Sequence, residues 1–163
     1  AELGTDSARS LRMIYYAASG NAAGNEPGGS LFGDKGPHDG LLDGAVDPDP
    51  LPAWLTADDL AVYAEAFTAG GWTGPLNRYR AQPIDATEIG PLPDPNLSQP
   101  ATFIGGALDG VRHFVPGVDL YDHAGDCLDD FRGATVIDGA GHWVQQEAPE
   151  ATNAALEGFL SSL

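Results

Sequence analysis

The stretch of residues 135–150 constrains the fold of this chain most strongly. Its first three residues are β-branched or apolar, as in a buried strand. Two glycines then permit a sharp turn that presents His142, and Pro149 suits the first turn of a following helix. An α/β enzyme presents a base at the carboxyl edge of its sheet in this way. The alternative is a histidine that only caps the turn.

A second polar residue follows another short apolar run upstream. Residues 102–104 predict a buried strand, which two glycines end before Asp109. Parallel neighbouring strands would place Asp109 and His142 at the same sheet edge, where the carboxylate can orient the imidazole. The sequence therefore predicts the acid–base half of a nucleophile–histidine–acid triad. For Asp109, the alternative is a cap of the helix that follows the strand.

The remaining segments predict helices separated by irregular chain. Residues 5–18 and a helix that starts at the capping-box pair Thr56 and Asp59 carry apolar residues at helical spacing. Gly74 and Pro75 can start a further helix that carries Tyr79. Irregular structure is predicted for the glycine- and proline-rich loop, about residues 19–52, and for a proline-rich linker over residues 81–100.

The C-terminal third predicts a βαβα unit. A loosely helical crossover over residues 113–131 joins the two strands, and a helix over residues 149–163 follows the histidine turn. Two strands are too few for a stable parallel sheet, so we expect the remaining strands to come from elsewhere. The chain starts at Ala1 without an initiator methionine, which is typical of a fragment or a processed chain.

Composition limits the classes of partner. The formal net charge is −17, which disfavours binding to nucleic acid or to anionic membrane surfaces, and no apolar run is long enough for a membrane span. The single cysteine, Cys127, excludes an internal disulfide and makes a reducing cytoplasm the simpler expectation. No metal-ligand spacing is present, so we expect neither a metal nor another cofactor.

Four motifs together carry a family resemblance. They are Leu-Pro-Ala-Trp-Leu at residues 51–55, Gly-Gly-Trp-Thr-Gly-Pro-Leu-Asn-Arg-Tyr-Arg at residues 70–80, Phe-Ile-Gly-Gly-x-x-Asp at residues 103–109, and Gly-Ala-Gly-His-Trp-Val-Gln-Gln-Glu-x-Pro at residues 139–149. With these motifs the chain resembles the C-terminal half of an α/β-hydrolase-fold epoxide hydrolase of the soluble and microsomal kind. The resemblance implies a mostly parallel sheet flanked by helices, with a helical cap portion over residues 1–98 and a C-terminal core portion over residues 99–163.

The resemblance also implies site roles. Tyr79 would hydrogen-bond the epoxide oxygen from the cap, Asp109 would be the acid, and His142 the base that activates water. Trp72 and Trp143 are candidates for core packing or for lining the substrate pocket rather than for chemistry. The family's nucleophilic Asp and its oxyanion-hole motif lie upstream of the matching region. We therefore expect the N-terminal half to be a partner, this chain alone to be inactive, and an apolar epoxide to be the substrate.

Several points stay open at this stage. The family's second cap tyrosine would fall before Ala1, and Arg78 and Ala81 depart from the usual Trp and Asn. A related enzyme such as a haloalkane dehalogenase is one alternative, although the Leu-Asn-x-Tyr-Arg segment favours the epoxide. A non-catalytic ligand-binding or docking fragment is another. The sequence leaves the oligomeric state open, a homo-oligomer included.

Overall fold

The computed structural model of the chain describes residues 2–22, 35–90 and 96–163. Its helices and strands follow in the order α1 (Ser7–Ala17), α2 (Ala57–Gly70), α3 (Thr73–Glu88), β1 (Leu97–Gly106), β2 (Leu128–Ile137), α4 (Val144–Glu147) and α5 (Pro149–Leu160). Within these described ranges, no helix has the length and apolar character that crossing a membrane requires.

Helix α1 forms where its cap and apolar spacing predict it. The Asp6 side chain accepts a hydrogen bond from the backbone N–H of Arg9 and so satisfies one of the unpaired donors at the helix start. Leu11 lies 4% exposed against Leu55 and Leu60, and Leu60 belongs to α2. This contact makes α1 and α2 one packed helical pair.

Helix α2 begins with the predicted capping box. Thr56 and Asp59 exchange side-chain and backbone hydrogen bonds, and the helix ends at Gly70, after which Gly71 has a φ of 72°. Helix α3 carries Tyr79 as predicted, but it runs on to Glu88 through Pro83. The prediction of a linker over residues 81–100 was therefore wrong at both ends, since β1 already begins at Leu97.

The long loop is fixed by ion pairs and hydrogen bonds where the structure describes it. Residues 35–52 contain turns without a helix or strand, and residues 23–34 lie outside the described part. The Glu2 carboxylate accepts the backbone N–H groups of Leu41 (2.8 Å) and Leu42 (2.9 Å). Asp47 pairs with Arg9 and with Arg12, two residues of α1. These contacts attach the loop to the first helical turns.

Strands β1 and β2 pair in parallel, as predicted for the C-terminal third. Phe103 lies opposite Ala134 and Gly106 opposite Ile137, so both strands end at the same edge. The crossover between them was predicted to be loosely helical, and the described segment contains two short 3₁₀ turns instead. Asp109 and Asp119 start these turns by accepting an N–H two residues on, which competes with α-helix formation.

The sheet leaves apolar side chains uncovered. Several large apolar residues of the strands, the crossover and α5 are more than 40% exposed: Leu97, Phe114, Val115, Val136, Leu156 and Leu160. Together with the parallel pairing, the helices establish the predicted α/β class. The division into portions 1–98 and 99–163 stays a prediction.

Candidate active site

The loops that follow β1 and β2 meet at the carboxyl edge of the sheet. Ala107 donates its N–H to the carbonyl of Ile137 and Leu108 donates to Ala140, each at 2.9 Å. The backbone of Gly106 lies so close to this second loop that an added Cβ would stand 2.2 Å from the carbonyl oxygen of Gly141. The two loops can therefore touch only because Gly106, the second glycine of the Phe-Ile-Gly-Gly motif, has no side chain.

This contact brings Asp109 and His142 together. Asp109 Oδ2 lies 3.1 Å from Nδ1 of His142. The Asp109 side chain is 9% exposed and the His142 side chain 43%, so the carboxylate is held inside while the imidazole reaches solvent. A carboxylate only accepts hydrogen bonds, which places the proton of a neutral imidazole on Nδ1 and leaves Nε2 as a free acceptor. The pair has the geometry of an oriented general base.

Tyr121 is a partner of Asp109 that the sequence did not indicate. Its hydroxyl donates to Asp109 Oδ2 at 2.9 Å, while the N–H of Val111 donates to Oδ1 at 2.9 Å. An added Cβ at Gly105 would stand 2.6 Å from the Tyr121 hydroxyl oxygen, so the first glycine of the pair makes room for this ring. In the sequence, only the Gly105–Gly106 pair pointed to a close contact at this position, and it did not indicate which residue makes that contact.

The surroundings keep Tyr121 neutral. Burial raises the pKa of the Tyr121 hydroxyl well above its ordinary range, and the hydrogen bond and charge of Asp109 raise it further. The Arg112 guanidinium lies 5.0 Å from the Tyr121 ring centre and pairs with Asp119. That pairing holds the pKa of the Asp119 carboxyl down at about 2. Tyr121 thus acts as a fixed hydrogen-bond donor to Asp109.

Comparison with known proteins finds relatives that match nearly the whole chain. Epoxide hydrolase A of Mycobacterium tuberculosis (strain H37Rv) is 35% identical over 163 residues, which are 100% of this chain and 48% of that protein. Epoxide Hydrolase A from Mycobacterium thermoresistibile superposes with a TM-score of 0.82 at 35% identity, covering 98% of this chain and 47% of that one. An epoxide hydrolase from an endophytic Streptomyces gives a TM-score of 0.86 at 36% identity, with coverage of 98% and 47%.

By sequence and fold, this chain is related to the C-terminal half of α/β-hydrolase-fold epoxide hydrolases. The resemblance seen in the four motifs and the predicted fold class are both confirmed. No protein-family model matches the chain. The chain spans about half the length of the curated relative and of the two solved structures named above.

Trp143 connects the histidine turn to α1. Its indole N–H donates to the carbonyl of Tyr15 at 2.8 Å, and its ring centre lies 4.7 Å from that of Tyr15 and 4.9 Å from the His142 ring. The backbone N–H of His142 donates to the Ala18 carbonyl at 2.9 Å. Trp143 is therefore beside the base, and these contacts tie it to the end of α1.

Trp72 lies among the packed helices. Its ring centre is 4.5 Å from that of Phe67, and its indole N–H donates to Ser7 Oγ at 3.1 Å. It lines a cleft of about 430 Å³ together with Leu3 and Leu76. These contacts belong to the helical part and include neither Asp109 nor His142. Its predicted place in the substrate pocket stays a prediction.

The structure does not bring Tyr79 into contact with the pair. Tyr79 lies in the middle of α3 with 64% of its surface exposed, and it forms no hydrogen bond with Asp109 or His142. Pro83, one turn later, has no N–H to give to the Tyr79 carbonyl. The role of Tyr79 in binding an epoxide oxygen therefore stays a prediction.

Among the described residues, no cluster of three or more His, Cys, Asp or Glu side chains could hold a metal ion. Cys127 is exposed and unpaired by any disulfide. Outside the site, Nδ1 of His123 lies 2.8 Å from Oδ2 of Asp126 at the surface.

Proposed function

We propose that this chain supplies the water-activating half of an epoxide hydrolase. The observation that carries the proposal is the Asp109–His142 pair, with Nδ1 bound to a buried carboxylate and Nε2 unoccupied, in a chain related to the C-terminal half of epoxide hydrolases. Asp109 and Nε2 of His142 fit the acid and base of a hydrolytic step. The nucleophile belongs to the N-terminal half of such enzymes and acts as a partner of this chain.

The first step of the proposed reaction opens the ring. A carboxylate oxygen of the nucleophilic Asp attacks an epoxide carbon, and the ring C–O bond breaks with its electron pair going to the epoxide oxygen. Tyr79 stabilises the developing alkoxide by a hydrogen bond, and the alkoxide takes up a proton from solvent to complete the hydroxyalkyl ester. The exposed position of Tyr79 on α3 leaves its hydroxyl free to meet a substrate.

The second step uses the observed pair. Nε2 of His142 takes a proton from water, whose oxygen adds to the carbonyl carbon of the hydroxyalkyl ester. The ester bond to the alkyl oxygen then breaks, the imidazolium returns the proton to that oxygen, and the vicinal diol leaves. The nucleophilic Asp, released as a carboxylic acid, gives its proton to solvent and is a carboxylate again. Asp109 stabilises the imidazolium, and Tyr121 keeps the carboxylate oriented towards Nδ1.

The proposal also covers the substrate, the partner half and the cellular compartment. The aromatic rings of Trp143 and Tyr15 beside His142 favour an apolar epoxide, and the N-terminal half forms the remaining strands against the uncovered apolar side chains. The cytoplasm is the proposed compartment. Residues 1–98 act as part of the cap and residues 99–163 as part of the core.

Diol formation tests the proposal. The chain is joined behind the N-terminal half of Epoxide hydrolase A from Mycobacterium tuberculosis, and styrene oxide is supplied as an apolar epoxide. We expect diol formation from the joined protein and none from the chain alone. Only the second step needs His142, so we expect His142→Gln to lower the steady-state rate of diol formation. Glu157→Gln, at an exposed position of α5, should leave that rate unchanged.

A folded joined protein that forms no diol from any of a panel of apolar and polar epoxides would contradict the proposal. Folding is checked by the melting transition and by gel filtration. Binding of an apolar ligand without turnover would favour the ligand-binding alternative. Release of halide from a haloalkane in place of diol formation would favour the dehalogenase.

A further inference from the structure

The Glu147 carboxylate binds three backbone N–H groups around the histidine turn. Its Oε2 accepts from Gly20 at 2.7 Å and from Gly141 at 3.0 Å, and its Oε1 accepts from Trp143 at 3.2 Å. Gly141 and Trp143 are the two neighbours of His142 in the chain. Glu147 therefore holds the backbone on both sides of the base from a single side chain of α4.

The third donor extends this hold to another segment. Gly20 follows α1, and an added Cβ there would stand 2.3 Å from the carbonyl oxygen of Gly139 and 3.1 Å from Glu147 Oε2. The His142 N–H also donates to the Ala18 carbonyl in the same segment. The turn and the end of α1 thus touch backbone to backbone, with the Glu147 carboxylate between their donors.

A carboxylate suits this position better than any neutral side chain. Its two oxygens offer about four acceptor sites and no donor, so all three N–H groups are satisfied without a competing hydrogen. Hydrogen bonds to an ionised acceptor are also stronger than neutral ones. A glutamine of the same shape would turn its NH₂ group towards at least one of the donors. Residue 147 therefore needs a negatively charged acceptor as well as a side chain of the length of glutamate.

We propose that Glu147 is the positioning residue of the base. It forms no hydrogen bond with the imidazole and acts by fixing the backbone of His142, so that Nδ1 stays on Asp109 and Nε2 on the attacking water. This inference rests on the proposed function for the step that it affects. Ring opening by the nucleophile does not use His142, so loss of the carboxylate slows ester hydrolysis selectively.

The hydrogen bonds are tested in the 163-residue chain by amide exchange and by NMR of the imidazole. Glu147→Gln is compared with Glu157→Gln, an exposed glutamate of α5 with the same change of charge. We expect exchange at Gly20, Gly141 and Trp143 to become about 10- to 100-fold faster in Glu147→Gln only. The Nδ1 proton signal of His142, which reports the bond to Asp109, weakens in the same variant. Unchanged exchange and an unchanged signal overturn the proposal.

The kinetic consequence is tested in the joined protein by single-turnover measurements. We expect Glu147→Gln to slow ester hydrolysis by up to about 100-fold while ester formation changes by less than about twofold. Equal slowing of both steps, or equal slowing in Glu157→Gln, would mean a general structural role and overturns the proposal. If the wild type forms no ester, the proposed function fails, and the exchange and Nδ1 signals alone decide the role of Glu147.

Where Glu147→Gln does not fold, Glu147→Asp replaces it. Asp keeps the charge but is one methylene shorter, so it cannot reach all three donors. Selective loss of protection at one or two of the three amides, with slower ester hydrolysis, supports the proposal. Full protection with slower hydrolysis overturns it.

Discussion

Three donors converge on the two oxygens of Asp109, and each comes from a different position relative to the strand. The N–H of Val111 is supplied by the turn itself, the imidazole by the neighbouring loop, and the hydroxyl of Tyr121 by the crossover. Because both oxygens are engaged, the carboxylate has little freedom to rotate. The orientation of His142 depends on these contacts together.

Removal of the Tyr121 hydroxyl isolates one of them. In Tyr121→Phe the ring keeps its edge contact with Phe103, 4.6 Å between centres, while Asp109 Oδ2 loses a donor. We expect the free energy of unfolding to fall by about 1.5–3 kcal/mol, as for a hydrogen bond to a charged group. Urea unfolding measures it, with Tyr79→Phe on the exposed face of α3 as the control that should not change. Equal stability of the two variants would contradict this assignment.

At the scale of elements, the crossover is held by the pair formed by Arg112 and Asp119. The hydrogen bond from Arg112 lowers the pKa of Asp119 from 3.8 to about 2. A lowered folded-state pKa contributes stability that is present above the unfolded value and is lost as pH falls through the folded one. We therefore expect the wild type to have a higher Tm than Asp119→Asn at pH 5. The difference in Tm should shrink as the pH falls from 4 to 2. A difference in Tm that does not vary with pH would contradict the assigned pair.

Helix α3 contains a second testable feature, its internal proline. Pro83 withholds an N–H from the Tyr79 carbonyl, and proline in a helix interior costs about 3 kcal/mol relative to alanine. We expect Pro83→Ala to raise the free energy of unfolding by about 1–3 kcal/mol. Pro75→Ala, in the first turn where the N–H has no helical partner, should change it little. Circular dichroism during thermal unfolding compares the two, and an equal effect would contradict the account of α3.

These elements also show what the sequence could and could not predict. Local chemistry predicted the Thr56–Asp59 capping box and the turn at His142, because a cap or turn depends on residues a few positions apart. The end of α3 was predicted wrongly, since Pro83 is a helix-breaking signal in the sequence and the helix nevertheless continues through it to Glu88. Tyr121 was missed because its contact with Asp109 depends on the path of the whole crossover, which local patterns do not specify.

At the scale of the whole molecule, the two-stranded sheet is the element that most needs a partner. A parallel pair with exposed apolar residues such as Val136 and Leu97 gains burial, and therefore stability, from any strands added beside it. We expect the N-terminal half of an epoxide hydrolase relative to raise the free energy of unfolding of the chain by about 2.7 kcal/mol at 100 times its Kd, and so to raise the melting temperature in a concentration-dependent way. Gel filtration gives the stoichiometry. A chain whose melting temperature the added half does not change would contradict this prediction.

Ester trapping tests the central claim, that His142 activates water for a nucleophile outside this chain. The joined protein with His142→Gln is mixed with styrene oxide and its intact mass is measured. We expect the mass to rise by one epoxide and to stay raised, with the adduct in the N-terminal half, while the unmodified protein returns to its own mass as diol appears. A His142→Gln protein that never gains the epoxide, or that loses it as fast as the wild type, would contradict the claim.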